Sequence, residues 1–569
     1  MRRARPTGSL SAASALIFLI DEAQNPLYTA ITMRIGKDIL KEEGQFWGKA
    51  IAEEIVRQRP DKDVYVVSSG ISPSGPIHFG NFREIVTQFV VKRELEKLGK
   101  RVRFVFVWDD FDAMRKVPAG VGEEFVEHIR KPLSRIPSPA GEGTWAQIHE
   151  QAFERTLQEF GIETEFLYQT KTYEQGTYDT YIKTALQKRE VIARILLRHM
   201  SDKAKATKEI NEDAFVASYY PVSIFSTWTD KDTTEILDYD GENQLTYRCL
   251  ETGNEETIDL TKQHQLKFAW KTDWAMRWAV MGVDFESAGK DHNSPDGSFD
   301  VSSDIVREVF DAEGPIGLAY EFIGIQGLGA KMSGSKGNSV TPGQLLDIYE
   351  VPLLLWLYSR KLPSQRFDLA FNSEILRQYS EFDREVELLR TGKLSDVRVE
   401  ALQIAGADSA PLNPMPLRQA IALGQIVQWD TEKVVHMLTA LQMVFDRASI
   451  ESRLLKACAY LETYNREEMV ALREGMNEEY TLTLSDDRKA VVGRLRTFLE
   501  SGENRISAIE KEMYEIPKQE GMDEKAVKLA QRAFFTDVYN LLIGKDTGPR
   551  LSTFLWAVDR QKVLELLNV

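Results

Sequence analysis

The pattern of hydrophobic and polar positions predicts alternating strands and helices from residue 45 onward. Residues 64–68 form a short apolar run rich in β-branched side chains, which favours a buried strand. Residues 81–98 carry apolar side chains at helical spacing, and 101–107 is a second apolar run. A strand, a helix and a strand in close succession predict a right-handed parallel βαβ unit.

The alternation continues well beyond this unit. It predicts helices at 47–57, 145–160, 177–198, 273–281 and 300–312, and strands at 162–168, 265–270, 283–286 and 319–325. We therefore expect an α/β fold with a doubly wound, Rossmann-type parallel sheet. This catalytic domain would cover 44–345, with a small insertion at about 200–262.

The second half of the chain has a different pattern. After Pro342 the periodicity is mostly helical, with predicted helices at 373–389, 417–427, 431–444 and 450–464. We interpret 346–410 as a helical linker and 411–569 as an all-helical C-terminal domain.

Composition narrows the class of protein. Hydrophobic residues make up 43% and charged residues 28% of the chain, which is typical of a folded globular protein. The two cysteines, Cys249 and Cys458, exclude a disulfide framework and favour a reducing compartment. The net charge of −16 argues against indiscriminate nucleic-acid binding, although a local basic groove could still bind RNA.

The first 43 residues predict a flexible extension. A basic start and an apolar run at 10–20 have the outline of a signal peptide, but no persuasive cleavage site follows. The run is also shorter than the ~20 residues that span a bilayer. We therefore expect a cytoplasmic protein with no membrane segment.

Small and turn-forming residues fill the connection between strand 64–68 and helix 81–98. Such a loop, at the carboxyl end of a parallel strand, is where ligands bind, and the helix start offers free N–H groups to an anion. His78 and Asn81 are three residues apart and can face one oxyanion, with Gly80 between them. The alternative is a plain turn with His78 as helix cap. The stretch runs Ser69, Gly70, Ile71, Ser72, Pro73, Ser74, Gly75, Pro76, Ile77, His78, Phe79, Gly80, Asn81.

A second candidate phosphate loop lies near residue 334. It contains two lysines among short residues, and mobile ammonium groups suit phosphate oxygens. An ordinary solvated basic loop is the alternative. Its residues are Lys331, Met332, Ser333, Gly334, Ser335 and Lys336. Between the two loops, Asp291 could cap a helix that begins near residue 297.

These strings resemble the signatures of class I aminoacyl-tRNA synthetases. The first is similar to the HIGH signature, with Asn81 in place of the second histidine, and the other to KMSKS, with Gly334 in place of the second lysine. The sequence segments 107–112, 270–278 and 289–292 narrow the resemblance to class I lysyl-tRNA synthetases. The resemblance is strong over about residues 45–350 and covers the helical remainder of the chain in outline only.

The resemblance implies that the chain activates L-lysine with ATP to lysyl-adenylate and transfers lysine to the 3′ end of tRNA(Lys). ATP would come with Mg²⁺, region 346–410 would contact the tRNA stem, and 411–569 would bind the anticodon; neither DNA nor a membrane is an expected partner. The implied catalytic residues are His78, Asn81, Lys331 and Lys336, where Lys336 would replace the lysine missing at Gly334. The implied ATP-binding residues are Pro73, Ser74, Gly75, Pro76, Ile77, His78, Phe79, Gly80, Asn81, Asp291, Lys331, Met332, Ser333, Gly334 and Ser335.

A lysine substrate needs a carboxylate for its ammonium and aromatic walls for its stem. By resemblance, Gly70, Ser72, Trp270 and His292 contribute to this pocket, with Trp270 expected at the end of a strand. Asp110 is the aspartate that we assign to lysine, but Asp109 and Asp112 share its place after the second strand. Arginine and glutamate are alternative substrates.

The insertion departs from archaeal-type relatives, in which paired cysteines indicate a zinc site. Ser226 and Thr229 stand where the first pair would be, and the second group keeps only Cys249, with Thr252 three residues on. We therefore predict no structural zinc and no other metal held by the chain's own residues. Packing around Trp228, Tyr239 and Tyr247 would hold the insertion together.

Two other functions fit parts of the pattern. One is a catalytically silent relative that binds tRNA or a protein, which the presence of His78, Asn81, Asp291 and Lys331 disfavours. The other is a small nucleotidylyltransferase, which shares the first loop but needs neither this length nor a helical tail.

Overall fold

The computed structural model of the protein describes residues 34–36, 39–41, 44–118, 120–326 and 340–569. Its strands are β1 (Val64–Ile71), β2 (Arg101–Trp108), β3 (Glu165–Tyr168), β4 (Val222–Ile224), β5 (Thr234–Tyr239), β6 (Gln244–Cys249), β7 (Glu255–Asp259), β8 (Leu266–Phe268), β9 (Phe285–Gly289), β10 (Ile316–Tyr320), β11 (Ile323–Gln326) and β12 (Phe367–Ala370).

The helices fall into two groups. Those up to β12 are α1 (Trp47–Gln58), α2 (Phe79–Lys97), α3 (Trp145–Glu159), α4 (Gln169–Glu174), α5 (Asp179–Gln187), α6 (Arg189–Arg198), α7 (Asp202–Thr207), α8 (Glu212–Ser218), α9 (Trp270–Met281), α10 (Ser298–Glu308), α11 (Pro342–Leu346) and α12 (Val351–Ser359). Those after it are α13 (Glu374–Arg390), α14 (Asp396–Ile404), α15 (Leu417–Ile426), α16 (Thr431–Ala440), α17 (Arg447–Tyr464), α18 (Glu478–Thr481), α19 (Asp486–Glu500), α20 (Ile506–Glu515), α21 (Glu524–Ile543), α22 (Leu551–Ala557) and α23 (Arg560–Leu566).

Five parallel strands form the central sheet, in the order β10-β9-β1-β2-β3. β1 pairs with β2 along its whole length, from Val64 opposite Arg101 to Ile71 opposite Trp108. The chain passes outward from β1 to β3 and returns through β9 and β10 on the other side, so the strand order reverses between β1 and β9. Ligands bind beyond the carboxyl ends of strands at such a reversal. The expected doubly wound α/β fold is confirmed.

Helices cover both faces of the sheet, as the side chains of β2 show. Phe104, Phe106 and Trp108 belong to one core with α2, while Val105 and Val107 belong to another with α9 and α10. Successive side chains of a strand point to opposite faces, so an unbroken apolar strand needs cover on both.

The insertion between α8 and α9 is a small β structure. An antiparallel sheet is formed by β5, β6 and β7. The strand before this sheet in the chain, β4, pairs antiparallel with the strand after it, β8. Tyr247 is fully buried, and the ring of the half-exposed Trp228 lies 6.0 Å from it. Tyr239 packs against the same core from its edge.

All described elements after β12 are helical, which confirms the α-helical character of the C-terminal half. A short parallel pair, β11 with β12, connects this half to the sheet domain. One apolar core continues from α2 through α12 and α13 into the C-terminal helices. No helix among the described residues is long and apolar enough to cross a bilayer.

Among the predicted elements, two are divided in the structure and a third ends earlier than expected. The helix expected at 177–198 is two helices, because Lys188 leaves helical geometry with φ −100° and ψ 20°. The strand expected at 319–325 is two strands, because β10 pairs with β9 whereas β11 pairs with β12. Trp270 begins α9 and does not end a strand, since β8 stops at Phe268.

Candidate active site

Two glycines flank the loop after β1, Gly70 near the end of the strand and Gly80 in the first turn of α2. A Cβ atom on Gly70 would lie 3.2 Å from the Val107 carbonyl oxygen and 3.7 Å from Arg277 Nη1, so the neighbouring strand leaves little room for a side chain. A Cβ atom on Gly80 would lie 2.9 Å from the His78 ring, which folds back over this position. Ser72 Oγ lies 3.5 Å from the Asp109 carbonyl oxygen, so the loops after β1 and β2 touch.

His78 is the N-cap of α2. Its Nδ1 accepts a hydrogen bond from the Gly80 N–H at 3.1 Å, and burial lowers its pKa, so the imidazole is neutral. A neutral ring that accepts at Nδ1 carries its proton on Nε2, which is then a hydrogen-bond donor. His78 therefore caps the helix and still presents a donor.

The expectation that the start of α2 offers free N–H groups is wrong. The Phe79 N–H donates to the Val340 carbonyl at 2.9 Å, the Gly80 N–H to His78, and the Asn81 N–H to the His78 carbonyl at 3.0 Å. An anion at this helix start must therefore bind side chains.

A cavity of about 440 Å³ opens beside this loop, and we call it the His78 cavity. One wall comes from residues 71–81 and includes His78 and Asn81, and the other comes from 112–118. The expected ATP-binding residues on its wall are Ser74, Gly75, Pro76, Ile77, His78 and Asn81. Phe79 instead points into the apolar core, where it is fully buried.

The candidate residues on the other side of the strand reversal are Trp270, at the start of α9, and Asp291 and His292, after β9. Trp270 is half-exposed, stacks on Trp274 with ring centres 5.1 Å apart, and lies 5.3 Å from the His292 ring. Burial lowers the pKa of His292, so this ring is neutral as well. The structure thus brings Trp270 and His292 together as expected. Asp291 does not cap the next helix, whose N-cap is Gly297.

Trp274 and Trp278 are buried, as expected for core residues. Trp274 Nε1 donates to Glu286 Oε1 at 2.9 Å, and Trp278 Nε1 donates to Oε2 of the same carboxylate at 2.7 Å. One carboxylate therefore fixes both indoles of the stack on which Trp270 rests.

The three aspartates after β2 already have partners within the protein. Asp109 pairs with Arg277 at 2.9 Å, and Asp112 pairs with Lys267 at 2.9 Å. Asp110 is buried, and its Oδ1 accepts the Thr170 N–H at 2.9 Å. Asp109 and Asp112 are therefore paired with cations of the chain itself, whereas Asp110 is bonded to a neutral N–H group.

Glu84, which sequence reasoning missed, is a better candidate. Ser69 Oγ donates to its Oε1 at 2.6 Å and Tyr320 Oη to its Oε2 at 2.9 Å, so it lies near the carboxyl ends of β1 and β10. No cation of the described residues pairs with it, and burial raises its pKa to about 7, with a further contribution from Glu286. The available signal was a glutamate amid the apolar positions of α2.

The zinc-like positions of the insertion carry hydroxyl groups. Burial raises the pKa of the Cys249 thiol, but hydrogen bonds from Ser226 and Thr252 outweigh it and lower that pKa to about 7. The Thr229 hydroxyl accepts the Lys231 N–H at 3.4 Å. No group of three candidate metal ligands occurs among the described residues, and the absence of zinc stays a prediction. The loop from Lys331 to Lys336 lies outside the described residues.

Known proteins match this chain over most of its length. A family model described as tRNA synthetases class I (K) matches residues 45–401. A lysine–tRNA ligase of Streptomyces coelicolor is 36% identical, covering 92% of this chain and 98% of its own. One of Thermococcus kodakarensis is 33% identical, covering 92% and 99%.

Among solved structures, a glutamate tRNA ligase of Elizabethkingia meningosepticum covers 89% of this chain and 98% of its own. It has 10% identity and a TM-score of 0.45, too distant to bear on function. The family model and the relatives together cover the sheet domain, the strand reversal and the helical half. The chain therefore belongs to the class I tRNA synthetases, in the family designated K.

Proposed function

We propose that this chain is a lysine–tRNA ligase, which activates L-lysine with ATP and transfers it to the 3′ end of tRNA(Lys). One structural observation carries the choice of lysine over glutamate. The Glu84 carboxylate is satisfied by two hydroxyls and has no described cation, so it suits an ammonium group and would repel a substrate carboxylate.

The lysine stem would lie between Glu84 and the aromatic pair Trp270 and His292. The exposed face of Trp270 suits an aliphatic chain that ends in a cation. Gly70 and Ser72 would border the same space, and the tight contact at Gly70 explains why no side chain fits there. Asp110 would act only indirectly, because its carboxylate is buried against Thr170.

ATP would enter as its Mg²⁺ complex and place its phosphates in the His78 cavity. His78 would donate from Nε2 and Asn81 from its side-chain amide, while Asp291 would bind the ribose. Pro73, Phe79 and Gly80 would shape the loop. Lys331 and Lys336 of the second signature would approach the phosphates. The residues between them, Met332, Ser333, Gly334 and Ser335, would complete this loop beside the nucleotide.

The reaction has two balanced steps. A lysine carboxylate oxygen attacks the α-phosphorus of ATP in line. The bond between the α-phosphorus and the oxygen that bridges it to the β-phosphorus breaks, and pyrophosphate leaves. A ribose hydroxyl at the 3′ end of tRNA then attacks the lysyl carbonyl, loses its proton, and displaces AMP. The protein's contribution is to position the reactants and stabilise charge on the phosphates.

The helical half would bind the rest of the tRNA. We assign stem contacts to 346–410 and the anticodon to 411–569, where splayed bases can stack on side chains. The cytoplasm is the compartment that fits a tRNA substrate.

Amino-acid-dependent exchange between ATP and pyrophosphate across all twenty amino acids tests the proposal. We expect exchange with lysine alone. Exchange with arginine or glutamate would change the substrate, whereas none at all, despite tRNA binding, would favour a silent relative. Exchange without any amino acid would favour a nucleotidylyltransferase.

A further inference from the structure

Two basic residues lie on the wall of the His78 cavity that is opposite the signature loop. Arg115 and Lys116 belong to the segment 112–118 after β2 and are exposed. Neither forms an ion pair or a hydrogen bond through its side chain with another described residue. The positive charge of Arg115 acts to lower the pKa of the Asp232 carboxyl, but that carboxylate forms its ion pair with Arg130, whose Nε lies 2.6 Å from Asp232 Oδ1. Both cations are therefore available to an anion.

The backbone just before this basic pair is held in place. The Met114 N–H donates to the Lys131 carbonyl at 2.8 Å, and the Arg130 N–H donates to the Met114 carbonyl at 2.7 Å. The Asp112 carboxylate is paired with Lys267, and the Met114 side chain is buried. A fixed backbone means that the two side chains lose less freedom when they bind.

The charge balance of the cavity points to the same pair. His78 is neutral, the first three N–H groups of α2 are already bonded, and Lys267 offsets Asp112. Arg115 and Lys116 are the cations among the described residues that line the cavity. A polyphosphate would otherwise meet only neutral donors on these walls.

We propose that Arg115 and Lys116 bind phosphate in the His78 cavity. This rests on the proposed function and extends it to residues outside the two signatures. The phosphate could belong to ATP and pyrophosphate or to the 3′ end of tRNA. His78 and Asn81 on the facing wall favour the polyphosphate.

The test uses full-length Arg115→Gln, Lys116→Gln and the double variant. In lysine-dependent exchange we expect each single change to lower kcat/KM for ATP and pyrophosphate about three- to tenfold. The double variant should lower both by about thirtyfold or more, with KM for lysine within twofold. Arg115→Lys should recover most of the loss. Lys171→Gln is the control, since Lys171 is exposed near the same sheet edge but does not line the cavity.

A tRNA phosphate would give a different result. Exchange would be unchanged, KM for tRNA in charging would rise, and the dependence of that KM on salt would become shallower by about one counterion per charge removed. Effects below twofold in both assays would overturn the proposal while leaving the wild-type function intact.

Binding of pyrophosphate to the full chain, measured by calorimetry, keeps the test independent of the assigned reaction. If the wild type shows no lysine-dependent exchange, the proposed function fails. The basic pair is then judged on pyrophosphate affinity, which the double variant must weaken at least tenfold for the phosphate site to stand.

Discussion

The two sides of the site are built differently. The signature wall of the His78 cavity is one stretch of chain that ends in the first turn of α2. The amino-acid side takes Glu84 from α2, Trp270 from α9, His292 from the loop after β9 and Tyr320 from β10. The proposed phosphate side is thus a local motif, whereas the proposed lysine side depends on the assembled fold.

Their electrostatics also differ. The described groups on the signature wall are neutral donors, so positive charge must come from elsewhere. The amino-acid side holds a carboxylate whose partners are hydroxyls, which leaves its charge uncompensated until a cation arrives. A largely buried ion-pair cluster consists of Asp109, Asp112, Asp273, Lys267 and Arg277, and its Asp112 lines the His78 cavity.

The largest expected effect comes from breaking this cluster, because it links the segment after β2 to β8 and α9. Lys267 is buried, and its Nζ lies 2.9 Å from Asp112 and 3.5 Å from Asp273. Lys267→Met should lower the free energy of unfolding by about 3–5 kcal/mol, since it leaves carboxylates buried without their cation. Urea unfolding measures this, with the exposed Lys262→Met as control. Equal stability of the two variants would contradict the role of the cluster.

The next effect should be confined to the nucleotide side. His78→Ala should slow adenylate formation by about 10²–10³, the cost of losing one preorganised donor, and should leave KM for lysine within threefold. Alanine also removes the helix cap, at about 1 kcal/mol. His78→Asn restores a cap without the Nε2 donor, so it should recover stability but not rate. Single-turnover kinetics with thermal unfolding separates these outcomes; a fast His78→Asn variant would exclude His78 from phosphate binding.

Glu84→Gln should have a smaller effect that is confined to the lysine side. It removes the charge but keeps the shape, so kcat/KM for lysine should fall about a hundredfold while KM for ATP stays within threefold. Glu94→Gln is the control, because Glu94 is buried on the same helix and pairs with Lys97 away from the site. Equal losses for ATP and lysine would mean that Glu84 supports the whole sheet edge.

How far the sequence predicts each side follows from these differences. The His78 loop was found because its small residues and turn formers are contiguous after an apolar strand. Glu84 was missed because its hydroxyl partner Tyr320 is 236 residues away. The bonded N–H of Phe79 was missed for the same reason, since its acceptor is Val340. The ion pairs of Asp109 and Asp112 could not be predicted either, because their partners Arg277 and Lys267 come from α9 and β8.

The pH dependence of kcat/KM for lysine should further distinguish the lysine side of the proposed site from the nucleotide side. With its pKa raised to about 7, Glu84 of the free enzyme is protonated in acid and must lose that proton to pair with an ammonium group. The value of kcat/KM for lysine should therefore rise about tenfold per pH unit below 7 and level off above it. Burial lowers the pKa values of the two histidines of the site, so they titrate at lower pH than Glu84. A profile that persists in Glu84→Gln would assign the pKa to another group.

The smallest expected effect tests whether the aromatic wall needs its buried support. Each oxygen of Glu286 accepts one indole N–H, from Trp274 or from Trp278. In Glu286→Gln one of these N–H groups would face an amide N–H₂, so one indole loses its partner and the stack beneath Trp270 loosens.

Losing one such bond corresponds to a rise in KM for lysine of about five- to tenfold, with KM for ATP unchanged. Trp274→Phe should reproduce the rise more fully than Trp278→Phe, because Trp270 stacks directly on Trp274. Lysine-induced change in Trp270 fluorescence, absent in Trp270→Phe, reports the wall itself. If Glu286→Gln lowered stability but left this signal and KM for lysine unaltered, Glu286 would serve the core alone and Trp270 would hold its position without it.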